Sequence, residues 1–208
     1  MDRMYRMTRH VYDLTRKYYL LGRDRLLREM EIQPGDSVLE VGCGTGRNLM
    51  KLARRHPRAL FYGLDASRQM LSTARKKVNR AGLDRRIFLK QGLAEQLDAE
   101  RIFARKKPFD VVYFSYSLSM IPDWQHAIDT ALSNLAPGRT LYLVDFWDQR
   151  GLPKVFRTFL KRWLELFHVE HRPELIAYLK DLEKSGAGEF HLKPVLKRYA
   201  MIGRFVKK

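Results

Sequence analysis

The sequence predicts an α/β fold, a mostly parallel seven-stranded sheet between layers of helix. Three observations carry this expectation. Short apolar runs alternate with stretches of helical period from Ser37 to Phe146. The first run opens into a cluster of glycines, and the second ends in an acid, Asp65. At 208 residues, 45% apolar and 12% aromatic, the chain can bury a sizeable core, which argues against disorder despite its charge.

The elements follow in order. Residues 12–30 are helical in pattern, with apolar positions at Tyr18, Leu21, Leu26, Leu27 and Met30. Pro34-Gly35-Asp36 is a turn, and 37–41 a short apolar strand running into glycines. A helix over 48–55 ends near Pro57, and residues 60–64 form the second strand. The helix over 67–81 is closed by Gly82. Residues 86–90 are a third strand. Residues 110–115 are a fourth, buried on both sides if Val111, Val112, Tyr113 and Phe114 are all covered. A helix over 124–135 stops at Pro137-Gly138, and 140–146 is the fifth strand. Strands separated by helices imply right-handed crossovers and parallel pairing.

The tail breaks this rhythm. Leu152, Val155, Phe156, Phe159, Leu160, Trp163, Leu164 and Phe167 recur at helical spacing, with Lys154, Arg157, Lys161 and Arg162 between them. A further helix over about 173–184 precedes Gly186-Ala187-Gly188, and two extended segments close the chain near 189–192 and 196–205. No linker divides the chain. We expect one domain over 1–208: a helical cap (1–33), a ligand-binding core (34–150) and a basic helical and stranded tail (151–208).

The informative run is Val38-Leu39-Glu40-Val41-Gly42-Cys43-Gly44-Thr45-Gly46. It ends a strand and opens a helix, where ligands bind in doubly wound sheets. The glycines stand at i, i+2 and i+4. A dinucleotide fingerprint needs the third at i+5, which is Arg47, and no Lys-Ser/Thr follows to make a Walker A loop. Glycine permits the tight turn and a close ligand approach. Free amides at the following helix start can receive a carboxylate. Asp65, 23 residues past Gly42, stands where an acid accepts both hydroxyls of a ribose.

Together these features resemble the class I S-adenosylmethionine-dependent methyltransferases, with their Rossmann-like fold. The resemblance implies S-adenosylmethionine as cofactor, with Gly42, Gly44 and Gly46 lining its methionine and ribose part. It implies that Glu40 reaches the methionine amino group, that Asp65 binds the ribose, and that Ala66 and Met70 flank the adenine. Gly92-Leu93-Ala94-Glu95 matches the loop that closes over the adenine amine. Leu93 replaces the usual acid there, leaving that contact to a backbone group or Glu95. Ser115 and Tyr116 end strand four, where the methyl group faces its acceptor.

Methyl transfer from a sulfonium needs alignment, a free lone pair and exclusion of water, but neither a triad nor a metal. Candidates to orient or deprotonate an amine acceptor are Tyr116, Asp145, and Tyr12, His10 or Tyr19 on the leader, with Tyr116 and Tyr12 preferred. His168 and His171 stand at i, i+3 without an apparent third ligand, so we read a surface pair and expect no metal. Cys43 reads as small packing inside the loop. A single cysteine suits a reducing compartment, and residues 1–10 show no secretory signal.

The formal charge of +17 comes from 40 Lys+Arg against 23 Asp+Glu. It calls for an anionic partner or a tolerated solvated surface. Thirteen basic residues and two acids lie between Arg47 and Lys90, and the last sixteen residues hold six basic and no acidic ones. Amino-methylating nucleic-acid enzymes carry Asn/Asp-Pro-Pro-Tyr/Phe after strand four. Here the stretch is Phe114-Ser115-Tyr116-Ser117-Leu118-Ser119-Met120-Ile121-Pro122-Asp123, and no RNA-binding module is appended, so nucleic acid is disfavoured. The basic amphipathic helix over 152–169 suits either the headgroup plane of an anionic membrane or the edge of the sheet.

A closer resemblance lies in four stretches: the leader from Tyr12 to Asp24, the loop from Glu40 to Asn48, Ser115 to Pro122, and Leu196-Lys197-Arg198-Tyr199-Ala200. They are similar to bacterial betaine-lipid N-methyltransferases, which trimethylate the amine of diacylglyceryl-homoserine. The resemblance implies a lipid amine as acceptor and a cytoplasmic, peripherally membrane-associated enzyme. Arg16 or Arg23 then becomes a candidate to hold the substrate carboxylate. Phosphatidylethanolamine is the alternative acceptor. RNA methylation or a non-catalytic cofactor-binding scaffold are readings of a different class.

Overall fold

The structure, a computed structural model, describes residues 20–153 and 172–208. In chain order the strands are β1 (Ser37–Val41), β2 (Leu60–Asp65), β3 (Ile87–Gln91), β4 (Phe109–Ser115), β5 (Leu135–Phe146), β6 (Gly188–Val195) and β7 (Ala200–Lys207). They form a seven-stranded sheet in the order β3-β2-β1-β4-β5-β7-β6. The first five are parallel; β7 runs antiparallel to β5, and β6 antiparallel to β7. The helices are α1 (Arg23–Glu29), α2 (Arg47–Arg55), α3 (Arg68–Arg80), α4 (Ala99–Phe103), α5 (Trp124–Ser133) and α6 (Leu175–Lys184).

The continuous apolar runs of β1 and β4 follow from burial on both faces. Side chains alternate across a strand, so neighbours enter different cores. Val38, Val111 and Tyr113 pack on one face with Leu26 of α1, Leu49 and Leu52 of α2, and Leu71 and Val78 of α3. Leu39, Val112 and Phe114 pack on the other with Trp124, Ile128 and Ala131 of α5 and Leu175 and Leu179 of α6. Each such side chain contributes about 1.5–3 kcal/mol by leaving water. The expectation that β4 is covered on both sides therefore holds.

Three expected boundaries move. The helix expected over 124–135 stops at Ser133, and β5 begins at Leu135 instead of Thr140. Phe109 N–H reaches back to the Asn134 carbonyl at 2.8 Å, so pairing starts immediately. The register then shifts between Phe109 and Val111, which absorbs Pro137 and Gly138 in an irregular stretch. Helix α4 is too short for a helical period to register in sequence. It is held instead by Asp98, which accepts from Arg101 N at 3.0 Å, and by Asn134 Oδ1, which accepts from Ala99 N at 2.8 Å. The last strand starts at Ala200, not Leu196. Leu196, Lys197 and Arg198 all take positive φ, and Tyr199 N–H closes their turn on the Leu196 carbonyl at 2.9 Å.

Several expectations lie outside the described residues. They are the leader through Tyr19, with His10, Tyr12 and Arg16, and most of the amphipathic helix expected over 152–169, with His168 and His171. Among the described residues no helix is long and apolar enough to cross a membrane.

The close contact of α2 with the sheet depends on Gly63 in β2. A Cβ there would meet Leu49 Cδ1 at 2.7 Å, and Cys43 Sγ and Leu89 Cδ2 at 2.8 Å. Gly63→Ala should therefore lower stability by about 1–3 kcal/mol through overpacking, read as a lower denaturation midpoint at unchanged m-value.

Candidate active site

The strand order reverses between β1 and β4, and ligands bind at the carboxyl ends of strands beside such a switch. The loop from β1 to α2 is built for this place. Gly42, Gly44 and Gly46 have φ of 79°, 52° and 74°, a region that glycine enters without steric penalty. The amides of Gly42 and Cys43 both donate to the Leu64 carbonyl, at 2.8 and 3.0 Å, folding the loop over the end of β2. Asp65 Oδ2 accepts from Gly44 N at 2.6 Å, and its Oδ1 accepts from Ser67 N at 2.8 Å. Ser67 in turn caps α3, its Oγ accepting from Met70 N at 3.3 Å.

Above the loop lies a cavity of about 470 Å³, within the range of about 300–1,000 Å³ usual for small-molecule sites. Gly42 and Gly44 line it from β1, Asp65, Ala66 and Met70 from β2 and α3, Leu93 and Ala94 from the loop after β3, and Ser115 and Tyr116 from β4. Glu95 lines it as well, so an acid stands two residues from Leu93. Glu40 lies beneath the loop on an adjoining cavity of about 170 Å³, which shares Gly42, Gly44 and Ser115 with the first. Gly46 lines neither. It stands at the N-cap of α2, where a Cβ would come within 3.3 Å of Ala74 Cβ, so its smallness serves helix packing.

Glu40 is 1% exposed. Its Oε1 accepts from Asn48 Nδ2 at 2.7 Å, while Oε2 has no hydrogen-bond partner among the described residues. Burial raises its carboxyl to about 8, with Asn48, the Tyr113 hydroxyl and the charge of Arg23 pulling the other way. A buried acceptor beside a polar cavity suits a cationic amino group, and the shared wall lets one ligand reach both Glu40 and Asp65. The donor set fits S-adenosylmethionine. Among the described residues no group of His, Cys, Asp and Glu is arranged to hold a metal ion.

Two expected catalytic residues take other roles. The Tyr116 hydroxyl donates to the Leu21 carbonyl and ties the segment before α1 to β4. Burial drives its pKa well above the ordinary phenol value, so it stays protonated. Tyr116 faces the cavity but is no proton acceptor near neutral pH. Asp145 does not line the cavity. Its Oδ1 accepts from Phe146 N at 2.8 Å and its Oδ2 from Ser119 N at 3.1 Å, and burial raises it to about 6. It is a strut for the turn after β4. The third candidate, Tyr12, lies outside the described residues. Arg23 lines the smaller cavity, which Glu40 also lines.

Residues that the motif reading did not assign complete the wall. Ser117 Oγ donates to the Val41 carbonyl at 2.8 Å, and a Cβ on Gly42 would fall 2.5 Å from Ser117 Cβ. Met120, Ile121 and Pro122 supply an apolar part of the cavity wall. Their signal in the sequence was position alone, directly after the strand that neighbours β1.

Glu40 makes stability depend on pH in a definite direction. Between about 4.5 and about 8 the folded chain holds a proton on this carboxyl that the unfolded chain has released. Its contribution to stability is therefore lost as pH rises through that window. Glu40→Gln, which keeps an acceptor for Asn48, should remove this component. Urea midpoints at pH 5 and pH 8.5 in the cofactor-free protein should then differ less in the variant than in the wild type.

Residues 38–138 match the family model of the methyltransferase domain. The chain is 31% identical over 123 residues to the 27-O-demethylrifamycin SV methyltransferase of Amycolatopsis mediterranei, covering 59% of this chain but only 43% of that protein. It is 26% identical over 193 residues to the demethylmenaquinone methyltransferase of Bacillus cytotoxicus, covering 83% and 78% of the two chains. The fold superposes on a SAM-dependent methyltransferase from Aquifex aeolicus with a TM-score of 0.64 at 17% identity, over 93% of each chain. Residues 38–138 thus match a methyltransferase domain within a Rossmann-like methyltransferase fold, and with the glycine loop and the acid ending β2 the matches indicate S-adenosylmethionine as cofactor.

Proposed function

We propose that the chain transfers methyl groups from S-adenosylmethionine successively to the amine of a membrane-lipid head group, diacylglyceryl-homoserine, giving the trimethylated betaine lipid. The observation that carries this reading is a convergence. Three stretches that resemble betaine-lipid N-methyltransferases lie far apart in sequence but meet at one corner of the site. The Tyr116 hydroxyl donates to the Leu21 carbonyl. The Tyr116 ring packs edge-on against Phe146 at 4.7 Å, and Phe146 against Tyr199 at 5.9 Å. Gly22 lies so close to Val195 that a Cβ would meet its Cγ2 at 3.0 Å. The formal charge of +17 favours an anionic membrane as the surface on which the acceptor is met.

When bound, the cofactor supplies an electrophilic methyl group on a sulfonium. In this reading Glu40 takes the ammonium of its methionine part, Asp65 the ribose hydroxyls, and Ala66, Met70 and Leu93 the adenine. Met120, Ile121 and Pro122 keep water from the transfer point, and the Tyr116 backbone and ring shape the entry of the amine. With Tyr116 held protonated and Asp145 tied to backbone amides, the described residues contribute orientation and exclusion of water. The ammonium proton leaves to solvent before each attack. This is the effective-concentration form of catalysis, which needs no triad.

A second reading follows from the Bacillus relative, whose name specifies a demethylmenaquinone acceptor and 78% of whose length is matched. A quinol is also membrane-borne and would suit the same apolar wall. Labelled S-adenosylmethionine offered with vesicles of diacylglyceryl-homoserine, phosphatidylethanolamine or demethylmenaquinol, and with RNA, separates the alternatives. The expected result is label in diacylglyceryl-homoserine, appearing as one, two and three methyl groups. Label confined to the quinol or to RNA sinks the lipid-amine reading, and cofactor binding without any transfer indicates a scaffold. Glu40→Gln should weaken cofactor binding roughly tenfold by calorimetry, the scale of one charged hydrogen bond. Raising salt from 0.05 to 0.5 M should depress lipid turnover far more than cofactor affinity.

A further inference from the structure

We infer that the carboxyl end of the sheet, led by the turn at 196–198, is the face that rests on an anionic bilayer. This builds on the lipid-acceptor reading and adds where the membrane lies. Leu196, Lys197 and Arg198 have φ of 39°, 49° and 64°, three successive non-glycine residues in the left-handed region. Such a conformation is unfavourable for each of them and persists only where the surroundings impose it.

Here they do. The Arg198 guanidinium pairs with Asp148 and lies over the Trp147 ring at 4.2 Å. The Gln149 amide donates to the Arg198 carbonyl at 2.9 Å, and the Trp147 amide to the Tyr199 carbonyl at 3.1 Å. Gly151 leaves room for the Lys197 carbonyl, which a Cβ would approach to 2.6 Å. The outcome of this clamp is an exposed apex. Leu196 is 60% exposed, more than any other large apolar side chain among the described residues, and Lys197 beside it is also exposed. Strain that holds a leucine in water is hard to explain as packing.

The place of the turn fits a membrane partner. Phe146 pairs with Ala200, so the β6–β7 turn stands at the carboxyl end of the parallel strands, where the cavity also opens. Leu93, 43% exposed on the cavity wall, stands at the same end. It follows β3, five strand positions from β7, or about 24 Å at the usual strand spacing. A flat surface can touch two apolar points that far apart. Around the turn, Lys197, Arg198 and Arg150 outnumber the one carboxylate of Asp148, which suits anionic headgroups. Leu60 and Phe88, exposed near the other end of their strands, have no such company in the lipid-facing scheme and serve as a control surface.

The test is flotation of the full chain with vesicles of phosphatidylcholine, with and without phosphatidylglycerol. Leu196→Asn removes the apolar apex with a residue that tolerates left-handed backbone. Lys197→Glu reverses its charge, and Leu60→Asn is the control. Leu196→Asn and Lys197→Glu should each weaken partitioning onto anionic vesicles roughly tenfold, while Leu60→Asn changes it less than twofold. Cofactor affinity and thermal unfolding should stay at wild-type values in all three. Methylation of detergent-dispersed diacylglyceryl-homoserine is measured in parallel. If the wild type ignores anionic vesicles, or if both turn variants bind them as it does, the docking face is wrong whatever the acceptor assay gives. If the turn variants lose binding while no lipid amine is methylated, the docking face stands and the acceptor reading falls.

Discussion

The Leu64 carbonyl and the Asp65 carboxylate, at the end of β2, hold the loop that begins the site. One carbonyl accepts two successive amides, from Gly42 and Cys43, and the neighbouring carboxylate accepts the amide of Gly44. Glycine suits this path at three of its positions. The three glycines stand at positive φ, and on the other side Ser117 presses against Gly42 while bonding to the Val41 carbonyl. The carboxyl ends of β2, β1 and β4 are thereby locked into one surface. The large cavity is the space left above it, and the smaller one the space beneath.

Charge is distributed with a purpose around that surface. The two buried carboxylates behave differently because their partners differ. Asp145 is satisfied by backbone amides and serves the turn after β4, whereas Glu40 has one oxygen bonded to Asn48 and the other, buried, without a hydrogen-bond partner among the described residues. Only the second arrangement leaves something for a ligand to do. Outside, Asp24 binds both Arg47 and Lys51, and the hydrogen bond from Arg47 first, then that from Lys51 and the two charges, hold its carboxyl well below the usual range. That pair of contacts docks α1 onto the start of α2. Exposed pairs of this kind contribute little to stability. Their effect here is positional.

Much of the parallel core was legible because its physics is local. Gly42 and Gly44 announce a left-handed path, and Asp65 an acceptor at a set distance. The apolar runs of β1 and β4 announce burial on both faces. What misled was also local. Pro137-Gly138 reads as a helix stop followed by a gap, but the chain pairs through it by shifting register against β4. Leu196 to Arg198 reads as the start of the last extended segment, yet the contacts of Arg198 with Asp148 and Trp147 hold it in a turn.

The sequence by itself determined the fold class, the cofactor loop and its acid, because glycine conformation, strand burial and carboxylate chemistry act over a few residues. It could not decide which polar residue does what near the acceptor. Tyr116 and Asp145 look alike as candidates in the chain, since both stand at the ends of core strands. Only the tertiary structure shows that the Leu21 carbonyl engages the first and the Phe146 and Ser119 amides the second. Leu21 and Ser119 come from other segments of the chain, and a protonation state depends on burial and partners together. The same holds for the apex at Leu196, whose exposure results from contacts with a loop some fifty residues away in the chain.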